Sequence, residues 1–112
     1  LIDKVFDENL KIDYDIKIES GTNLLKNHVT TVFEPIVNSE QERRGLVDME
    51  AHEICTVLSN FNYLNKLTII KIVSDFMDLD AKYLSSKQIQ KLIKINLLDI
   101  DNFLNDNRKL CN

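Results

Sequence analysis

Glu50 and Asp75 are the residues of this 112-residue chain whose type and position best suit them to chemistry. Glu50 falls in the run Val47-Asp48-Met49-Glu50-Ala51, and Asp75 ends Ile72-Val73-Ser74-Asp75, one crossover later. The stretch between them has helical periodicity, so the segment reads strand, helix, strand. In a parallel sheet that arrangement brings both carboxylates to the carboxyl ends of neighbouring strands, the edge where open α/β sheets bind ligands. Two carboxylates there can divide the work, one gripping hydroxyls and one giving or taking a proton. Each also has a plainer use. Glu50 opens a helix, where an acidic side chain gains from the helix dipole, and Ser74 or Asp75 after a strand can act as a turn or helix cap.

The elements that would position this pair follow from the hydrophobic pattern. Leu1, Ile2, Val5, Phe6 and Leu10 recur at helical spacing and predict a short amphipathic segment. Tyr14, Ile16 and Ile18 alternate with charged residues, which predicts a strand over 13–19 ending at Ser20-Gly21. Residues 24–37 are mixed: His28, Val29, Val32 and Phe33 fit a helix that Pro35 would end or kink. Ser39 with Glu42 forms a capping-box pattern, and Gly45 is a stop for the short helix it would begin. A short strand is predicted at 46–49 and a helix at 50–61, with Ala51, Ile54, Leu58 and Phe61 on one face. Residues 67–73 form a β-branched run broken only by Lys71, as in a strand buried on both faces. Ser85 with Gln88 marks another helix start, for a closing helix over 86–105 carrying Ile89, Leu92, Ile93, Leu97, Ile100, Phe103 and Leu104.

Composition excludes several function classes. A net charge of −4 without a Lys/Arg block argues against nucleic acid or an anionic membrane as the main partner. No apolar run approaches the roughly 18 residues that a membrane span needs. Cys55 and Cys111 are too few for a disulfide framework and fit a reducing, cytoplasmic setting; no signal peptide is visible. Two distant histidines without HExxH spacing predict no metal site, and no cofactor is expected. His52 falls on the polar face of its predicted helix and is expected in solvent; His28 reads as structural, and Cys55 as a small buried apolar residue. Lys71 is expected to pack its stem while its amine reaches a carboxylate, and Arg43 and Arg44 to form a solvated helix end.

Three segments, Ile18-Glu19-Ser20-Gly21, Val47-Asp48-Met49-Glu50-Ala51 and Ile72-Val73-Ser74-Asp75-Phe76-Met77-Asp78, together resemble the nucleoside phosphorylase/nucleosidase superfamily in order and approximate spacing. Within it they are most similar to methylthioadenosine/S-adenosylhomocysteine nucleosidases. The resemblance implies a three-layer α/β/α fold, with residues 1–112 forming the C-terminal part of a single domain. It implies cleavage of a purine nucleoside's N-glycosidic bond, a small-molecule nucleoside as ligand, and a homodimer. Met49 and Glu50 would face the ribose, the carboxylate accepting bonds from its hydroxyls. Asp75 would be the general acid towards N7 of the purine, and Ser74 would position Asp75 or touch the base. Leu24 and Leu25 would line the base pocket. Leu24 departs from the family, which often has an aromatic residue there, so the wall stays apolar but loses ring stacking. The family's glycine-containing first strand and its water-activating or phosphate-binding residues would lie upstream of Leu1, which leaves hydrolysis and phosphorolysis both open. The competing expectation is a non-catalytic remnant or oligomerisation module that keeps the fold.

Overall fold

The computed structural model describes residues 1–18, 23–33, 45–73 and 85–110, with the backbone alone for 108–110. The expected features at Glu19 to Gly21, at Pro35, at Ser39 to Arg44, and at Ser74 and Asp75 lie outside the described residues. A mixed four-stranded sheet forms from β1 (Ile2–Asp7), β2 (Asp13–Asp15), β3 (Asn27–Thr31) and β4 (Leu46–Asp48), in the order β2-β1-β3-β4. The β1–β3 and β3–β4 pairs are parallel, and β2 runs antiparallel along β1. Helix α1 (Ala51–Asn60) follows β4, then a single 3₁₀ turn at Leu64–Lys66, and helix α2 (Ser86–Leu110) closes the chain. The fold is thus mixed α/β. Among the described residues no helix is long and apolar enough to cross a membrane.

The N-terminal segment predicted at helical spacing is strand β1, and its irregularity explains the misleading period. Ile2 pairs with Asn27 but Lys4 with His28, so Asp3 is an extra residue on β1. The bulge lets Ile2 and Val5, three positions apart, enter the same buried cluster with Ile16, Val29, Ala51 and Cys55. Strand β3 lies in the mixed stretch 24–37, where a helix is one of the readings open. Its central place, between β1 and β4, buries Val29, Thr30 and Thr31 in succession, as expected for a strand covered on both faces.

Residues 67–73 form no strand. Among the described residues Ile69 meets the sheet, its carbonyl accepting the Ile2 amide at 3.0 Å. The same edge of β1 is held by β2 from Lys4 to Phe6, which leaves no ladder for an apolar run to extend. Leu67 and Ile69 pack on the core without regular pairing. The segment therefore lies against β1, two strands from β4, and not beside β4 as the strand–helix–strand reading requires.

The strand predicted at 46–49 is β4, the helix predicted at 50–61 is α1, and the closing helix is α2. The cap of α2 is reciprocal: the Gln88 amide donates to Ser85 Oγ at 3.2 Å and the Ser85 amide to Gln88 Oε1 at 2.8 Å. Two helix faces differ from expectation. Helix α1 turns Ala51, His52 and Cys55 inward and leaves Ile54 and Phe61 exposed, because its small residues sit closest to the sheet. Helix α2 turns Leu92, Asn96, Ile100, Phe103 and Asn107 towards the body, leaving Ile89, Ile93, Leu97 and Leu104 exposed.

Candidate functional site

The three parallel strands end on Asp7, Thr31 and Asp48, so their carboxyl edge carries two carboxylates and a hydroxyl side by side. Asp7 and Thr31 are buried there, and Asp48 is half-buried. Local backbone demand fixes each of them. Asp7 Oδ1 accepts the amides of Asn9 and Leu10 at 2.8 and 2.7 Å, an Asx turn that carries the chain out of β1. Asp48 Oδ2 accepts the Ala51 amide at 2.7 Å, satisfying an otherwise unpaired donor in the first turn of α1. Thr31 Oγ1 links the two strands to the helix: it donates to Asp48 Oδ1 at 2.7 Å and accepts the His52 amide at 3.0 Å.

This scaffold draws the first turn of α1 inward and takes the His52 side chain with it. The expectation of a solvated His52 is thus corrected: the ring is 3% exposed, because α1 is rotated about its axis relative to the face predicted from Ile54 and Phe61. His52 Nδ1 lies 3.1 Å from Asp7 Oδ2, an ion pair only with a protonated ring, and neither ring nitrogen has a hydrogen-bond partner. The Tyr14 ring stands 5.2 Å away, tilted by 49°. Tyr14 is tied in turn to Thr56, its hydroxyl 3.2 Å from Thr56 Oγ1, which donates to the His52 carbonyl at 3.0 Å. Glu53 follows on the solvent side, so that one donor atom each of Asp7, His52 and Glu53 lies within 4.8 Å of the other two.

Met49 and Glu50 occupy the turn between β4 and α1 at this same edge, both exposed. Glu50 Oε2 accepts the Met49 amide at 3.3 Å, folding the carboxylate back over the turn. Leu24 and Leu25 lie elsewhere. They precede β3, at the amino edge, where the Leu25 carbonyl accepts the Leu1 amine at 2.7 Å. There they line a cleft of about 520 Å³ with Leu1, Val73, Leu92 and Phe103. Val73, immediately before Ser74 and Asp75, belongs to that cleft, and Met49 and Glu50 do not line it.

His28 pairs weakly with Asp3, Nε2 to Oδ1 at 3.4 Å, with its ring half-exposed. Cys55 is fully buried, and burial with the nearby Asp48 carboxylate pushes its thiol up to about 11, as fits an inert core residue. Asp7 and His52 are the functional candidates that the sequence pattern conceals. The signal that could have found Asp7 is a repeat: Val5-Phe6-Asp7 and Leu46-Val47-Asp48 both end an apolar pair in aspartate. Compared with family models, with curated proteins and with solved structures, the chain gives no match.

Proposed function

We propose that the chain forms the ribose- and base-recognising part of a domain that cleaves the N-glycosidic bond of a purine nucleoside, by hydrolysis or phosphorolysis. The observation that carries the reading is the β4–α1 turn. It presents Met49 and Glu50 exposed at the carboxyl edge of three parallel strands, with the strand and helix on either side that such a site needs. Glu50 holds two vicinal hydroxyls once its carboxylate leaves the Met49 amide, and Met49 packs against the sugar. Asp75 protonates N7 so that the base departs neutral, a contribution worth roughly 10²–10⁴ in rate. Ser74 orients it; Leu24 and Leu25 line the cleft at the opposite, amino edge and stand apart from the Met49–Glu50 turn. The reading also implies a three-layer arrangement, a homodimer and a cytoplasmic location.

The test is steady-state kinetics of the natural full-length protein on methylthioadenosine, adenosylhomocysteine and inosine, with and without phosphate. Asp75→Asn should lower turnover at least a hundredfold while sparing the binding of a stable nucleoside analogue. Glu50→Gln should weaken binding and turnover together. An Asp75→Asn rate within about threefold of wild type removes the general-acid role.

A second reading, an assembly module without catalysis, is favoured by the apolar stripe Ile89, Ile93, Leu97 and Leu104 on the outer face of α2. Sedimentation equilibrium separates the two: self-association abolished by Leu97→Glu, with no nucleoside bound, supports assembly alone.

A further inference from the structure

We propose that Asp7, His52 and Glu53 bind one divalent transition-metal ion, with water completing its shell. The spacing of the two histidines predicts no such site; it arises because β1 and the first turn of α1 meet at the sheet edge. The argument starts from His52. A buried imidazole with neither nitrogen hydrogen-bonded is costly, and His52 is 3% exposed with both nitrogens in that state. Nδ1 nevertheless lies 3.1 Å from a carboxylate oxygen, Asp7 Oδ2. Two ligands held about 2.0–2.2 Å from a tetrahedral ion stand roughly 3.3–3.6 Å apart, so a metal shared by Nδ1 and Oδ2 needs them to separate by only a few tenths of an ångström.

The surroundings suit that use. The Asn9 and Leu10 amides fix Asp7 Oδ1 and leave Oδ2 for the metal, the kind of outer-shell support that orients ligating carboxylates. Thr31 and Asp48 hold the backbone of Ala51 and His52. Coordination through Nδ1 sets the tautomer, with the proton on Nε2. Glu53, exposed on the same helical turn, supplies the third ligand by a side-chain rotation and gives the ion a path from solvent. One imidazole and two carboxylates form a donor set of intermediate softness, suited to zinc and its first-row neighbours. Cys55 is no part of it, its side chain being fully buried in the apolar cluster with Ile2 and Val5.

The test is calorimetric titration of the full chain with Zn²⁺, together with the visible spectrum of the Co²⁺ form. Saturable binding of one ion per chain is expected, with a Zn²⁺-dependent rise in melting temperature. The Co²⁺ spectrum should show visible ligand-field bands without the near-ultraviolet charge-transfer band of a thiolate. Glu53→Gln alters only an exposed side chain, so it should fold as wild type and weaken Zn²⁺ binding at least tenfold; His52→Gln should remove the one-to-one site. Absence of saturable binding up to millimolar Zn²⁺, a thiolate band, or affinity unchanged in Glu53→Gln would each overturn the proposal. None of these outcomes depends on whether a nucleoside binds.

Discussion

Replacing Thr31 by valine should cost about 2–4 kcal/mol of stability, because one hydroxyl holds together the ends of two strands and the start of a helix. The Thr31 side chain is 4% exposed, donates to Asp48 Oδ1 at 2.7 Å and accepts the His52 amide at 3.0 Å. Valine keeps the shape but leaves the buried His52 amide unpaired, a loss of about 1–3 kcal/mol. The bond to a carboxylate is charge-assisted and worth about 1.5–3 kcal/mol, reduced here because Asp48 is half-buried and water can replace the donor. Thr31→Ser is the control. It keeps both bonds and gives up one methyl group, about 1 kcal/mol. Urea unfolding followed by near-ultraviolet ellipticity of the tyrosines, with linear extrapolation, measures both variants against wild type. The reasoning is refuted if Thr31→Val falls within about 0.5 kcal/mol of wild type or is no worse than Thr31→Ser. A double-mutant cycle with Asp48→Asn should show a coupling of about 1 kcal/mol or more.

Gly45 has φ of +69°, and an added Cβ would overlap the His28 carbonyl oxygen, so Gly45→Ala should lose more than about 2 kcal/mol and loosen the β3–β4 pair, read by amide exchange of Val29 to Thr31. The raised Cys55 thiol binds its proton more tightly in the folded chain than in the unfolded one; its contribution is whole below the ordinary thiol range near pH 9 and fades as pH climbs towards 11. Denaturant melts should therefore show a loss of roughly 2–3 kcal/mol across that window that is absent in Cys55→Ala, and Cys55 should react slowly with a thiol reagent at neutral pH until the chain is unfolded. Ser85→Ala breaks one half of the reciprocal cap of α2 and should cost about 0.5–2 kcal/mol of local helix stability, seen as faster amide exchange in the first turn.

What the sequence disclosed depended on whether local pattern and tertiary position agreed. The Ser85/Gln88 cap and the strand-to-helix passage at Asp48 to Ala51 are written in adjacent residues, and the structure follows them. Strand β1 was hidden by a bulge that spaces Ile2 and Val5 as a helix would. The run 67–73 has strand composition, yet β2 already holds the edge it reaches, and no local signal reports that an edge is taken. His52 misled for a related reason. The helical face was inferred from the largest apolar residues, whereas the sheet selects the small ones, Ala51 and Cys55, and brings the adjacent histidine with them. The association of Asp7 with His52 spans 45 positions and depends on the order of strands, which periodicity does not encode.

Helix α2 has 25 residues against 10 in α1, and of its described side chains it buries only Phe103. Such a helix is stabilised largely by its own backbone bonds and cap, so it can open and close without the sheet, as a separate cooperative unit. Among the described residues most of the helical signal in the far ultraviolet comes from that unit. A melt followed by helical ellipticity thus reports the fraying of α2, with a shallow slope and a midpoint indifferent to Thr31 or Gly45, while tyrosine signals and exchange in β3 follow the sheet. Two probes should yield two curves from one chain, and a stability quoted from either alone describes only the part of the molecule that it sees.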